Sequence, residues 1–293
     1  MSNSEIPLVA GLCALADRYG GFILDLWGVL HDGVAAYPGA VDCIQHLRDR
    51  GTRIAILSNA PRRAVEVARR SAELGILPEF YDVIHSSGEE TWLHLKERPD
   101  AFHRGLGRAC YHLGPERDRG VLEGLDLKET TKIAEASFLL NTGAHLAQNE
   151  VADFESVLRP AAELGLPMVC ANPDLEVIRG GVREICAGML ALRYEELGGT
   201  VRYHGKPHES VYRRVLPKLG LRSGARVLAV GDSLRTDIAG ARRAGLDSLL
   251  VTGGIHAEEL GIAAGAHPES GSLAEICERA GERPRFAAGA FVW

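Results

Sequence analysis

Carboxylates, a hydroxyl, an amide and a lysine follow apolar stretches at several points in this 293-residue sequence. The stretch 22–24 runs into Asp25, and a longer one that begins at Arg226 runs into Asp232. Such stretches predict buried parallel strands, whose carboxyl ends carry the chemistry of open α/β folds. We therefore expect one sheet edge to gather Asp25, Ser58, Asn59, Lys206, Asp232 and Asp237.

The residue types in this group suggest a cation and a phosphoryl group. Two or three carboxylates at one edge repel each other unless a cation lies among them, and oxygen ligands favour a hard cation, Mg²⁺ first. A hydroxyl, an amide and a lysine suit a phosphoryl group, because they donate hydrogen bonds and neutralise charge. Asp25 could act as a nucleophile, a metal ligand or both, or it could only cap a turn.

The alternation of predicted strands and helices indicates a parallel sheet covered by helices. The pattern breaks between about 99 and 108 and restarts as a second α/β series. We therefore expect an α/β protein with a Rossmann-like core, residues 1–104 and 201–293, and an inserted α/β cap, residues 105–200. Apolar spacing also predicts an amphipathic helix over 5–19 and a helix from about Glu184 to Leu197.

Composition narrows the function classes. The net charge is −6 and basic residues are scattered along helical patterns, so we expect no nucleic-acid partner. Six widely separated cysteines predict buried free thiols, and the absence of a signal pattern or a long apolar run predicts a soluble cytoplasmic protein with no membrane partner. The apolar tail 284–293 is expected to dock on the body or on a second subunit, as in a homodimer.

Four ordered motifs resemble the haloacid dehalogenase (HAD) superfamily, in its class IIA subgroup of nitrophenylphosphatase-like and sugar-phosphatase-like enzymes with an α/β cap. They span residues 21–251, and the segment 171–174 (ANPD) resembles the corresponding cap segment. The motifs are 25–33 (DLWGVLHDG) with 37–40 (YPGA), 57–60 (LSNA), 205–208 (GKPH) and 231–245 (GDSLRTDIAGARRAG).

The resemblance implies a role for each residue. Asp25 would be the nucleophile of an aspartyl-phosphate intermediate, and Mg²⁺ would be held by Asp25, Asp232 and the backbone carbonyl of Trp27. Asp237 would support the outer shell of the metal. Ser58, Asn59 and Lys206 would hold the transferred group.

Trp27 departs from the pattern of these phosphatases, which have an Asp two residues after the nucleophile. That Asp acts as general acid on the leaving group and then as base for water, and an indole can do neither. Losing such a group costs about 10²–10⁴-fold for a poor leaving group. Dehalogenases of the superfamily carry an aromatic residue here, because halide needs no proton, but they have a smaller helical cap and do not need Mg²⁺.

Other polar residues are weaker candidates. His31 could act as a substitute acid beside Asp32, although a loop histidine facing solvent is the simpler interpretation. His204 and His208 have a spacing that could bind zinc but lack an evident third ligand, and His208 at a helix start would assist phosphate or cap the turn. In the predicted cap, Asn172 and Asp174 could face substrate or form an ordinary turn.

We therefore expect a Mg²⁺-dependent hydrolase of a small phosphorylated metabolite. One alternative is a non-catalytic or weakly catalytic binder of such a metabolite, because Trp27 replaces the general acid. The other is a dehalogenase-type hydrolase of carbon–halogen bonds that uses the same Asp25.

Overall fold

The computed structural model describes residues 5–263 and 265–293. Its larger sheet has six strands, and every neighbouring pair is parallel. Their carboxyl ends therefore meet at one edge. In spatial order the strands are β13 (Phe286–Ala288), β12 (Asp247–Val251), β11 (Val227–Gly231), β1 (Gly21–Leu24), β2 (Arg53–Ser58) and β3 (Val83–Ser86).

A second sheet of five parallel strands is formed by the intervening part of the chain. Its last strand, at 201–203, extends past residue 200, the end of the predicted cap. The division into a core and an inserted cap stays a prediction. In spatial order the strands are β10 (Val201–Tyr203), β7 (Met168–Cys170), β6 (Phe138–Asn141), β4 (Ala109–Leu113) and β5 (Lys128–Glu129).

Helices alternate with the strands of both sheets, so the α/β fold class is confirmed. Helices α1, α2, α8 and α9 each connect one strand of the larger sheet to the amino end of the neighbouring strand, as parallel pairing requires. The α-helices are α1 (Ala40–Asp49), α2 (Ala64–Glu73), α3 (Ser87–Glu97), α4 (Ala101–Gly105), α5 (Glu155–Glu163), α6 (Ala187–Glu196), α7 (Glu209–Val215), α8 (Ala239–Arg243) and α9 (Ser270–Ala280).

The larger sheet is buried on both faces, which explains its continuous apolar strands. On one face, Phe22 and Leu24 of β1 pack in a cluster with Ile44 and Leu47 of α1. On the other, Ile23 packs in a cluster with residues of α7. The sheet edge is thereby held rigidly at the position where the polar side chains follow the strands.

The amphipathic helix predicted over 5–19 is wrong. This segment forms two short 3₁₀ turns, Leu12–Ala14 and Ala16–Arg18, and its first part runs extended along the carboxyl-terminal tail. Val9 N–H donates to Ala287 O, and Leu12 N–H donates to Val292 O. Pairing with β13 and the tail therefore overrides the helical spacing of the apolar residues.

The helix predicted from Glu184 begins later, at Ala187, because residues 176–185 form a β-hairpin. Strands β8 (Glu176–Arg179) and β9 (Val182–Ile185) pair antiparallel around Gly180 and Gly181. Both glycines have positive φ, 52° and 83°, as a two-residue hairpin turn requires. The pair of glycines was the sequence signal for this turn.

Two segments connect the sheets, one around 98–108 and one around 204–208, and histidines join them. His103 Nε2 lies 3.1 Å from His204 Nε2, and both side chains are buried. Burial lowers the pKa of each ring, so the pair is neutral at neutral pH. The contact fixes the second connection just before Lys206.

The structure agrees in part with the predicted docking of the carboxyl-terminal tail and the predicted burial of the cysteines. The tail docks on the body through β13 and the buried Phe291. Five cysteines are buried and free, whereas Cys13 is free but exposed, so that prediction is wrong at one position. None of the helices in 5–263 and 265–293 combines the length and apolar character needed to cross a membrane.

Candidate active site

Three carboxylates converge at the carboxyl edge of the larger sheet. Asp25 directly follows β1, and its backbone N–H continues the ladder by donating to Val230 O at 2.9 Å. Asp232 directly follows β11, and Asp237 lies in the π-helical turn Leu234–Ile238. All three are buried, and one oxygen from each lies within 4.8 Å of the others.

Lys206 reaches into this group from the connection after β10. Its Nζ lies 2.7 Å from Asp25 Oδ1 and 2.6 Å from Asp237 Oδ1. The lysine is only 2% exposed, so its charge is compensated by these carboxylates rather than by water. The predicted convergence of strand-end side chains thus extends to a residue that follows no strand of the larger sheet.

Burial dominates the electrostatics of the cluster. Burial raises the pKa of Asp25 to about 8, opposed by Lys206 and reinforced by Asp237. Burial, followed by the negative charges of Asp237 and Asp25, raises the pKa of Asp232 well above its ordinary value. Burial alone would lower the pKa of Lys206, but Asp237, Asp25 and Asp174 together raise it. The cluster holds excess negative potential that one ammonium does not neutralise.

Two glycines allow the chain to approach Asp232 closely. Gly28 has φ of 73°, and a Cβ there would lie 1.8 Å from Asp232 Oδ2. A Cβ on Gly254 would lie 2.2 Å from the same oxygen. A side chain at either position would fill the space beside the carboxylate.

The donor set fits a hard divalent cation. Three buried carboxylates supply only oxygen, the ligand type that Mg²⁺ prefers, and burial together with the neighbouring negative charges raises the pKa of Asp25 and of Asp232. The assignment of Asp25, Asp232, Asp237 and the Trp27 carbonyl to the metal stays a prediction.

Ser58 ends β2, and Asn59 follows it and contacts Lys206. Asn59 Oδ1 accepts from the backbone N–H of Lys206 at 2.8 Å, and Asn59 Nδ2 donates to Lys206 O at 3.1 Å. The same Nδ2 donates to Asp174 Oδ1 at 2.8 Å. Ser58 Oγ accepts from Ala60 N–H at 3.2 Å, which leaves its own proton available to a ligand.

Trp27 places its indole under the hairpin. The guanidinium carbon of Arg179 lies 4.9 Å from the ring centroid, within the range of a cation–π contact. The ring of His31 meets the indole edge-on at 5.1 Å between centroids. The side chain is therefore held as an apolar wall, and it supplies no group that could accept a proton.

His31 is buried, 3% exposed, so the prediction that it faces solvent is wrong. Its Nδ1 accepts from Gly33 N–H at 3.0 Å, and burial lowers its pKa to about 4. A ring that is neutral at pH 7 with its basic nitrogen engaged is a poor proton donor. Asp32 instead caps the following turn through Val34 N–H and Ala35 N–H.

His204 and His208 are not brought together in a metal site. His204 contacts His103, and His208 directly precedes α7. Across the described ranges, 5–263 and 265–293, the potential metal-binding group is the Asp25, Asp232 and Asp237 cluster, which includes neither histidine.

A cavity of about 370 Å³ opens between the carboxylates and the hairpin. It brings Asp25 and Trp27 together with Asp174, for which the sequence left open a role toward substrate or in an ordinary turn. Asn172 instead lines an adjoining cavity of about 80 Å³, which Trp27 and Asp174 also border. The sequence analysis missed several residues lining the larger cavity: Tyr37, Glu176, Val177, Ile178, Arg235 and His256.

Known proteins resemble this chain over nearly its whole length. Residues 22–128 match the model of haloacid dehalogenase-like hydrolases, and residues 203–276 match a model described as HAD-hydrolase-like. A hydrolase of the haloacid dehalogenase-like family from Brucella suis is 32% identical. The alignment covers 96% of this chain and 99% of that one, with a TM-score of 0.81.

The chain belongs to the haloacid dehalogenase-like hydrolase family. It is also 29% identical to ribonucleotide monophosphatase NagD of Escherichia coli, over 80% of this chain and 87% of that protein. It is 29% identical to human chronophin, over 91% of this chain and 93% of that protein. These relatives support membership of the phosphatase branch, class IIA, as the four motifs predicted.

Proposed function

We propose that this protein is a Mg²⁺-dependent phosphatase of a small phosphorylated metabolite, acting through an aspartyl-phosphate at Asp25. The observation that carries the proposal is the contact of Lys206 Nζ with both Asp25 and Asp237 inside a buried cluster of three carboxylates. A nucleophilic carboxylate beside a fixed ammonium suits transfer of an anionic group, because the ammonium offsets the repulsion between the two anions.

In the proposed reaction, a carboxylate oxygen of Asp25 forms a bond to phosphorus as the bond from phosphorus to the ester oxygen breaks. Water then attacks the phosphorus of the acyl phosphate, and inorganic phosphate leaves with the Asp25 carboxylate restored. Ser58 Oγ–H and Lys206 Nζ donate to the phosphoryl oxygens, and Asn59 positions the backbone of Lys206. When bound, Mg²⁺ would neutralise charge on the phosphoryl oxygens.

Trp27 limits what the protein can do with a poor leaving group. The indole donates one N–H and cannot cycle a proton, so it cannot protonate an alkoxide and then activate water. The proposed function therefore needs either a leaving group that departs without a proton or a proton donor elsewhere in the cavity.

A panel of aryl, acyl and alkyl phosphates, with and without Mg²⁺, tests the proposal. We expect turnover of at least one phosphate that requires Mg²⁺. Asp25→Asn preserves the size of the side chain and should lower turnover by at least about 10³-fold. Intact mass after acid quench should show one added phosphoryl group on the wild type and none on this variant.

A second candidate, a binder of phosphorylated metabolites, is favoured by the indole of Trp27. It predicts that phosphorylated ligands raise the melting temperature while no phosphate in the panel turns over. Haloacids belong in the same panel, and Mg²⁺-independent halide release would instead favour the dehalogenase alternative. Either result would contradict the phosphatase proposal.

A further inference from the structure

Asp174 and Trp27 line the same two cavities. Asp174 follows β7 of the five-stranded sheet and lines both the cavity of about 370 Å³ that Asp25 also lines and the adjoining cavity of about 80 Å³. Asp174 and Trp27 therefore both border the cavity that Asp25 lines, although they are far apart in sequence.

The two oxygens of the Asp174 carboxyl group differ in their hydrogen bonding. Asp174 Oδ1 accepts from Asn59 Nδ2 at 2.8 Å, and the backbone N–H of Asp174 donates to Asn172 Oδ1 at 2.9 Å. Arg235 Nη1 fixes the preceding residue by donating to Pro173 O at 2.7 Å. Within the described chain Oδ2 has no hydrogen-bond partner, so it is available to a group in the cavity.

We propose that Asp174 is a catalytic residue that donates a proton to the leaving group and then accepts one from water, taking the role that Trp27 cannot perform. This inference rests on the proposed phosphatase function. The Asn59 amide, which joins Asp174 to the backbone of Lys206, fixes the carboxyl relative to the ammonium that contacts Asp25.

The proton balance closes over the two half-reactions. As Asp25 oxygen bonds to phosphorus, Asp174 O–H gives its proton to the departing ester oxygen and an alcohol leaves. The Asp174 carboxylate then takes a proton from the water that attacks the acyl phosphate. Inorganic phosphate and the Asp25 carboxylate are released, and Asp174 is again protonated.

The buried environment of Asp174 shifts its pKa upward. Burial raises its pKa above the ordinary value, with the charge of Asp237 in the same direction and Lys206, Asn59 and Arg235 opposing. Asp25 also faces it, since the charge of Asp174 contributes to the raised pKa of Asp25. An upward shift of a carboxyl pKa is in the direction that suits general acid catalysis.

The other titratable groups around the cavity are less suited. Both ring nitrogens of His256 are engaged, by Glu259 and by Leu234 N–H. Glu176 is paired with Arg183. Burial raises the pKa of Tyr37 to about 12, so its hydroxyl could donate but would rarely be ionised to accept a proton from water.

The experiment compares wild type and Asp174→Asn on phosphate monoesters whose leaving groups range from 4-nitrophenol to a primary alcohol. Asn retains an oxygen that accepts from Asn59 but cannot donate and accept a proton in turn. We expect kcat/KM to fall by about 10²–10⁴-fold for the alkyl phosphate and by less than about 10-fold for 4-nitrophenyl phosphate. A role in positioning alone would lower both by the same factor.

Control variants separate this role from general damage. Asp126→Asn makes the same chemical change at an exposed position and should match wild type. Glu176→Gln tests the neighbouring carboxyl, and its dependence on the leaving group should remain that of wild type. Trp27→Asp restores an acid at the position of the indole and should recover alkyl-phosphate turnover in the Asp174→Asn background by at least about 10-fold.

Each outcome is decisive. An equal loss on all leaving groups, no loss, or a changed leaving-group dependence in Glu176→Gln would overturn the role of Asp174 while the phosphatase proposal stands. If Asp174→Asn fails to fold by circular dichroism, the wild-type pH profile decides, since alkyl-phosphate kcat must fall above the pKa of an acid and 4-nitrophenyl kcat must not. No turnover of any phosphate by wild type would overturn both proposals.

Discussion

At the residue scale, the site consists of three buried carboxylates and one lysine, Lys206. Each carboxylate is stable as an anion only where positive charge compensates it, and burial strengthens the repulsion between them. The raised pKa values of Asp25 and Asp232 express this imbalance. These buried carboxylates therefore lower the stability of the folded state.

Asp232→Asn should stabilise the protein in the absence of Mg²⁺ and destabilise it relative to wild type when Mg²⁺ is added. In EDTA at pH 8 we expect the free energy of unfolding to rise by about 1–4 kcal/mol, because a carboxyl whose charged form is disfavoured by folding is replaced by a neutral amide, while an oxygen still accepts from Ile255 N–H. Saturating Mg²⁺ should raise the melting temperature of wild type more than that of the variant. Urea and thermal unfolding measure both effects.

The pH dependence follows from the direction of the shift. A carboxyl whose pKa is raised in the folded state binds more protons folded than unfolded between about pH 4 and its folded pKa, about 8 for Asp25. Stability from such groups thus falls as pH rises through this window, and the gain of the variant should disappear near pH 4. A variant less stable than wild type in EDTA at pH 8 would contradict this interpretation.

Elements differ in how far the sequence could predict them. Strands β1, β2 and β11 could be predicted from continuous apolar residues, and so could the sheet edge that gathers Asp25 and Asp232. The hairpin at 176–185 was missed because the helical spacing after Glu184 predicts a helix there, and the turn signal of Gly180 and Gly181 was not used. The contact between Asn59 and Asp174 joins residues 115 positions apart, and only the packing of the two sheets brings them together.

The carboxyl-terminal tail contributes an edge strand and buried side chains to the larger sheet. Phe291 is 2% exposed and packs in the main core cluster with residues of β1 and α1. Phe291→Ala should lower the free energy of unfolding by about 3–5 kcal/mol, because it leaves a cavity in that cluster. Urea denaturation measures the change.

Val65→Ala on α2 is the matched control, since Val65 is 70% exposed and should change stability by less than about 0.5 kcal/mol. If Phe291→Ala were as mild as the control, the tail would not be part of the core. A loss that appeared only at low protein concentration would indicate that Phe291 packs against a second subunit instead.

At the scale of the whole molecule, the two sheets are joined by a few polar contacts around the cavities. Arg62 Nε, just after β2, lies 2.8 Å from Oδ1 of Asp118, which belongs to the part of the chain that forms the second sheet. Asp118 is 2% exposed, and burial raises its pKa. The cavity that Asp25 and Asp174 both line depends on contacts of this kind.

Arg62→Gln should destabilise the protein in a pH-dependent way. At pH 8 we expect a loss of about 3–5 kcal/mol, because Asp118 is left buried and charged without its partner. Asp118 can take up a proton as the pH falls, so its contribution to the loss should shrink by pH 5. Urea unfolding at the two pH values measures the difference.

Arg119→Gln is the control for this substitution. Arg119 is 46% exposed and pairs with Glu116 and Glu129, so its loss should cost no more than about 1 kcal/mol at either pH. Equal effects of the two substitutions would show that the Arg62–Asp118 contact does not hold the sheets together.

The indole of Trp27 also gives the cavity an optical reporter. Of the three tryptophans in the chain, Trp92 donates to Glu123 O and Trp293 stacks on His46, both away from the two cavities that Trp27 lines. A ligand that displaces Arg179 or water from the Trp27 ring changes the polarity around it and hence its emission. Fluorescence of this one side chain can therefore follow occupancy of the cavity without a label or a coupled assay.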